Sequence, residues 1–168
     1  MTTVIFSHGQ ESGPWGTKIR AMAELAKGLG CNADSIDYQG IADPTERVHK
    51  LIADCGDIDD TLILVGSSMG GHVATAAAAE LGAAGLFVLA PAYFMPGYED
   101  LTPKPPQLPI AIVHGWRDDV VPYAGSVRYG EETGATVTLL DSDHRLTSDL
   151  EHINRLFAEF LTRMRADA

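Results

Sequence analysis

The stretch Thr61-Leu62-Ile63-Leu64-Val65, running straight into Gly66-Ser67-Ser68-Met69-Gly70-Gly71, decides how the rest of the chain is read. Residues 61–65 are apolar or β-branched at every position, without polar alternation, which fits a strand covered on both faces. The Ala-rich run over 70–81 predicts a helix. Between the two lies G-x-S-x-G spacing, Gly66 to Gly70, centred on Ser68. A strand that bends sharply into a helix forces the residue at the bend into a strained backbone conformation. Side chains two positions to either side would collide there, so glycines at 66 and 70 relieve the crowding. The Ser68 hydroxyl is left projecting above the sheet, close to the positive end of the following helix. As a bare five-residue pattern this spacing is unspecific. Its strand–turn–helix context makes it a candidate nucleophile site. The plainer reading is a small-residue turn that packs a helix close to a strand, and Ser67, off the centre of the pattern, is read as a turn residue.

The same alternation extends in both directions. Toward the N-terminus, 4–6 is a short β-rich run, 17–29 has helical periodicity closed by Gly30, and 35–38 is a brief strand candidate. Asp43 is the expected N-cap of a helix opened by Pro44 and continuing through Val48, Leu51 and Ile52. Toward the C-terminus, 85–89 and 110–113 are buried strands, 123–133 a helix, 136–140 a strand and 148–165 an amphipathic helix. Six strands alternating with helices predict an α/β fold, an open and mostly parallel sheet covered on both faces. Ligands of such sheets bind beyond the carboxyl ends of the strands.

The chain has 168 residues, a length suited to one domain over 1–168 with a sizeable core. Lys and Arg number 12 against 23 Asp and Glu, a net charge of −11 that argues against nucleic acid or an anionic membrane surface as partner. The N-terminal residues contain no basic region followed by a cleavage site, and no apolar run is long enough to span a bilayer, so the expected compartment is the cytoplasm. Cys31 and Cys55 have no CxxC or His-rich context and read as reduced, buried thiols. Neither HExxH nor grouped ligand spacing occurs, so no metal or other cofactor is expected.

Polar residues cluster after the strand ends. A serine hydroxyl needs a base within hydrogen-bond reach, and of six histidines His144 stands in the loop between the last strand and the last helix. His8 and His114 each precede a glycine after a strand, and read as inward-packed turn residues. His49, His72 and His152 fall in helical stretches. A base of this kind needs an acid to orient it. Asp118, after the strand at 110–113 and four residues before Pro122, is preferred. Asp119 is the fallback, more naturally a solvated neighbour or cap, and Asp143, adjacent to His144, is a third choice. A developing oxyanion would need two backbone donors, assigned to the N–H of Met69 and, in the loop after the first strand, the N–H of Gln10. That loop has neither GxGxxG nor GxxxxGK, which disfavours phosphate binding.

Ser7-His8-Gly9, Gly66-Ser67-Ser68-Met69-Gly70-Gly71, His114-Gly115 with Asp118 and Val121-Pro122, and Asp143-His144 together resemble the α/β-hydrolase superfamily. The similarity runs from residue 4 to about 161, and within the superfamily the chain resembles small lidless bacterial serine esterases. It implies Ser68, Asp118 and His144 as a triad in the Ser-Asp-His order of that superfamily, with Gln10 and Met69 as oxyanion donors. It also implies a minimal fold, since this chain begins at what would be the third of eight strands. Pro-rich residues 90–109 stand where many relatives carry a helical lid, so an open site is expected. Trp15, Met69, Tyr93, Phe94, Met95 and Trp116 would edge its mouth, suiting a short apolar acyl chain. The expected partner is a small ester or thioester. The competing reading is a hydrolase-like protein-binding module with little turnover.

Overall fold

Six strands and five helices alternate along the chain, of which the computed structural model describes residues 1–167. The strands are β1 (Thr2–Ser7), β2 (Asn32–Ile36), β3 (Thr61–Ser67), β4 (Gly85–Leu89), β5 (Ile110–Gly115) and β6 (Thr136–Leu140). The helices are α1 (Thr17–Gly28), α2 (Pro44–Cys55), α3 (Met69–Ala78), α4 (Tyr123–Thr133) and α5 (Leu150–Ala166). All strand pairings are parallel, in the order β2-β1-β3-β4-β5-β6. The chain therefore reverses its direction of winding between β1 and β3, and the loops leaving these two strands diverge at the sheet's carboxyl edge. This is the switch point at which open parallel sheets place their ligands.

Successive strand residues point to opposite faces, so each buried strand feeds two cores. Val4, Phe6, Ile63, Val65, Phe87, Leu89 and Val113 meet α1 and α5 on one side. Ile5, Leu62, Leu64, Leu86, Val88 and Ile112 meet α2, α3 and α4 on the other. Cys31 lies in the first core and Cys55 in the second, both as free thiols, and burial pushes the Cys55 thiol up to about 11.

Helix ends follow local chemistry. The Asp43 carboxylate accepts from the Glu46 N–H at 3.3 Å, with Pro44 opening α2 as expected. Gly134, at φ +73°, closes α4 in the left-handed conformation that glycine favours. The second strand departs from the sequence reading. It covers Asn32–Ile36 rather than 35–38, because as an edge strand it is only half-buried and carries a weak apolar signal. Tyr38 lies beyond it, fully buried, with its hydroxyl 2.8 Å from Ser7 Oγ. Between β4 and β5 there is only a three-residue 3-10 turn (Glu99–Leu101), so no helical cap covers the sheet edge.

Phe157 of α5 is fully buried, its ring 5.1 Å from Phe87 and 6.2 Å from Phe6. Phe157→Ala should lower stability by about 3–5 kcal/mol in urea unfolding. A loss under about 1 kcal/mol would contradict the seating of α5 on this sheet.

Candidate active site

The bend from β3 into α3 places Ser68 at φ +56°, ψ −118°, outside the regions that L-residues favour. The glycines around it are there for backbone approach. A Cβ on Gly66 would run into the Gly70 carbonyl, and one on Gly70 into the carbonyls of Ser7 and His8. The bend is thus wedged between the end of β1 and the first turn of α3. The Ser68 N–H donates to Leu89 O at 2.9 Å, and Ser68 O accepts from the Ala92 N–H at 3.1 Å, tying it to the loop after β4 as well. Ser67 is the last residue of β3 rather than part of the turn.

Two later loops converge on the same place. The Trp116 N–H donates to Leu140 O and the Arg117 N–H to Ser142 O, pinning the end of β5 to the loop after β6. A side chain at Gly115 would meet the Ser142 carbonyl, so this contact also requires glycine. The result is a continuous run of hydrogen bonds. Ser68 Oγ lies 3.1 Å from His144 Nε2, and His144 Nδ1 lies 2.7 Å from Asp118 Oδ2. The two candidate alternatives to Asp118 stand elsewhere. Asp119 is exposed, and Asp143 accepts from the Arg145 and Leu146 N–H groups in its own turn.

The Asp118 side chain is fully buried and that of His144 is 21% exposed. Burial alone would raise the Asp118 carboxyl. Hydrogen bonds from His144 and from the Val121 and Val120 N–H groups outweigh it and hold the carboxyl below the usual carboxylate range. Oδ1 takes the two backbone donors, leaving Oδ2 for imidazoles. Because Nδ1 of His144 donates to that oxygen, its Nε2 is free to accept the Ser68 proton. A second imidazole reaches the same oxygen. His114, buried at the end of β5, lies with Nε2 3.1 Å from Asp118 Oδ2 and 2.9 Å from Val121 O. Its Nδ1 accepts from Ser126 Oγ, 2.7 Å away. Burial pushes His114 below the ordinary histidine range, although Val121 O and Asp118 act to raise it. His114 is therefore inward-packed as expected, but it also steadies the carboxylate.

Among the described residues neither the Met69 nor the Gln10 N–H has a protein acceptor. Gly9 brings the first loop against the bend, where an added Cβ would lie 3.6 Å from Ser68 Cβ. Of the aromatic residues expected at the mouth, Tyr93 is a correction. It is 1% exposed, stacked 4.1 Å from Tyr129, with its hydroxyl bonded to Thr75, so it belongs to the core. Backbone placement overrides its position after a strand end. Phe94 and Met95 are half-buried, and Arg128 lies 3.8 Å from the Phe94 ring centroid. Trp116 is exposed and packs edge-on against Tyr123, while the Trp15 ring lies 5.9 Å from Lys27 Nζ on α1. Two clefts, of about 340 and 380 Å³, open at the opposite, amino edge of the sheet, beside Pro109.

Three positions carry more than their sequence contexts suggest. Lys18 is half-buried, and burial pushes its ammonium down to about 8 against the fields of Asp118 and Asp143. His114 is the second. Arg47 is the third: it is 2% exposed on the face of α2 that also buries Leu51 and Cys55. A cation at four-residue spacing with two buried apolar residues is the signal that could have found it. Among the described residues no group of three or more His, Cys, Asp or Glu side chains could hold a metal ion, and no helix is long and apolar enough to cross a membrane.

The alpha/beta hydrolase family matches residues 4–167, and the chain belongs to that family. Among solved structures it is similar to a protein of the α/β hydrolase superfamily from Xanthomonas campestris pv. campestris, at 28% identity and TM-score 0.84, over 96% of this chain and 98% of the other. It is also similar in fold to Est1E from Butyrivibrio proteoclasticus, at 19% identity and TM-score 0.85, over 98% and 88%. A lidless α/β serine hydrolase from Xanthomonas campestris aligns at 22% identity and TM-score 0.75, over 96% and 81%. No curated protein matches by sequence.

Burial pushes His8, His72 and His114 all below the ordinary histidine range. In the unfolded chain these groups take up protons at about pH 6.5, whereas folded they resist. Their contribution to stability is therefore fully present above that pH, and is lost progressively as pH falls below it toward and through the lowered folded values. The melting temperature should be lower at pH 5.5 than at pH 7.5. An equal or higher value at pH 5.5 would mean the buried imidazoles are not kept neutral.

Proposed function

We propose that this chain is a serine hydrolase that cleaves small carboxylic esters or thioesters through an acyl-enzyme. The observation that carries the reading is the unbroken hydrogen-bonded run from Ser68 Oγ through His144 to Asp118, at 3.1 and 2.7 Å. Ser68 Oγ bonds to the acyl carbon while its proton passes to His144 Nε2. The bond from that carbon to the leaving oxygen or sulfur then breaks, and the leaving group takes the proton from His144. Water repeats the sequence on the acyl-enzyme, giving the free acid and restoring the Ser68 hydroxyl. Asp118 fixes the tautomer of His144 and stabilises the imidazolium between steps. The N–H groups of Gln10 and Met69 receive the developing oxyanion, the second at the positive end of α3. Family membership supports hydrolysis as the reaction class.

Phe94, Met95, Trp15 and Trp116 together with Met69 are the apolar side chains assigned to the edge for a short acyl chain. The connection from β4 to β5 lacks a helical cap, which favours a small, openly bound substrate over an enclosed one. The net charge of −11 favours such a small molecule over nucleic acid or an anionic membrane surface as partner.

Ser68→Ala should abolish p-nitrophenyl acetate hydrolysis and fluorophosphonate labelling while leaving the melting temperature unchanged or higher. Asp118→Asn should lower kcat by about 10⁴-fold, whereas Asp119→Asn should stay within a few-fold. Hydrolysis by the alanine variant at the wild-type rate rejects Ser68 as nucleophile. A folded wild-type protein that leaves Ser68 unlabelled would instead favour a hydrolase-like binding module.

A further inference from the structure

Arg47 is a buried cation that has no carboxylate partner among the described residues. Leaving a charge unpaired inside a protein is costly unless its donors are satisfied. Those of Arg47 are spent on backbone. Nε donates to Ile41 O at 2.7 Å; one terminal nitrogen donates to His8 O at 3.3 Å and Gly9 O at 3.2 Å, and the other to Gln10 O at 3.5 Å. The guanidinium also stands 5.3 Å from the Tyr38 ring centroid. Three successive carbonyls of the loop after β1 thus face one side chain of α2.

His8 adds a second donor to the middle carbonyl. Its Nε2 accepts from the Tyr38 N–H at 2.8 Å, so the ring proton sits on Nδ1, which lies 2.7 Å from Gly9 O. Burial, followed among the lowering influences by Arg47, keeps this imidazole in its neutral form. In a trans peptide the C=O of one residue and the N–H of the next point in opposite directions within one plane. Holding Gly9 O toward Arg47 and His8 therefore turns the Gln10 N–H away from them. Gly9 also stands against the bend, where an added Cβ would lie 3.6 Å from Ser68 Cβ.

We infer that Arg47, with His8, is a positioning residue that locks the Gly9–Gln10 peptide plane so that the Gln10 N–H faces Ser68. A flipped plane would present the Gly9 carbonyl to a developing oxyanion and repel it. The guanidinium also polarises the peptide that donates, strengthening the donor without touching substrate. The catalytic consequence rests on the serine-hydrolase reading, but the lock itself is a statement about one peptide group.

The test has two arms. In the first, Arg47→Lys keeps the cation and loses the fork that spans three carbonyls. The expected kcat for p-nitrophenyl acetate falls by about 10²-fold, the scale of a lost oxyanion donor, with KM within about twofold. Affinity for a phenylboronic acid should fall in the same proportion, because its boron becomes a tetrahedral anion on bonding Ser68 Oγ as the proton moves to His144. Unchanged kcat, or a lower melting temperature without the loss in boronate affinity, makes Arg47 a structural residue only and overturns the inference. The second arm uses the wild-type protein and needs no activity. Nitrogen NMR should find His8 as the neutral Nδ1–H tautomer and the Arg47 guanidinium protons protected from exchange. An Nε2–H tautomer or a freely exchanging guanidinium overturns the lock even if Arg47→Lys fails to fold. Wild-type protein inert to esters and fluorophosphonates would sink the hydrolase reading alone, leaving the NMR arm to judge the peptide plane.

Discussion

A carboxylate shut away from water must be met by donors on every side, and Asp118 imposes that demand on the carboxyl edge of the sheet. Its two oxygens draw on the Val120 and Val121 amides of its own loop, His114 at the end of β5 and His144 from the loop after β6. Removing any one would leave a buried anion under-compensated, which costs more than an ordinary hydrogen bond yields. The requirement thus sets where the β5 and β6 loops meet. His144 is then oriented with its outer nitrogen toward Ser68, so local electrostatics and the wider geometry point to the same arrangement.

The sheet supplies the other half. Because the winding reverses between β1 and β3, the loop bearing Gly9 and Gln10 and the bend bearing Ser68 leave adjacent strands at the same height, with Ser7 paired to Gly66. Close contact there is possible because positions 66 and 70 lack side chains. α2 enters the same arrangement from beneath, through Arg47. Three crossovers thus bear on one point, although only the bend itself has a recognisable sequence pattern.

Much of this was legible in the sequence, for identifiable reasons. Buried strands such as Thr61–Ser67 and Gly85–Leu89 carry continuous apolar runs, and the bend has a spacing that steric crowding dictates. The placement of Ser68, His144 and Asp118 beside one another followed from their positions after strand ends. The half-buried edge strand β2 begins three residues before and ends two residues before the stretch expected from sequence, because its burial pattern is weak. Tyr93 was misread because its position after a strand says nothing of the direction its ring takes, which its stacking on Tyr129 decides. The roles of Arg47 and His114 were hidden for a different cause. Arg47 spends its donors on backbone carbonyls, most of them far along the chain, and His114 meets Asp118 on an oxygen already taken by His144; a residue letter reports neither.

The sheet also stands between the two thiols. Cys31 belongs to the layer beneath α1 and α5, Cys55 to the layer beneath α2. A disulfide requires Cα atoms within about 7 Å, whereas a strand layer with side chains on both faces holds these positions farther apart. Oxidants therefore have no Cys31–Cys55 crosslink to make within the folded chain.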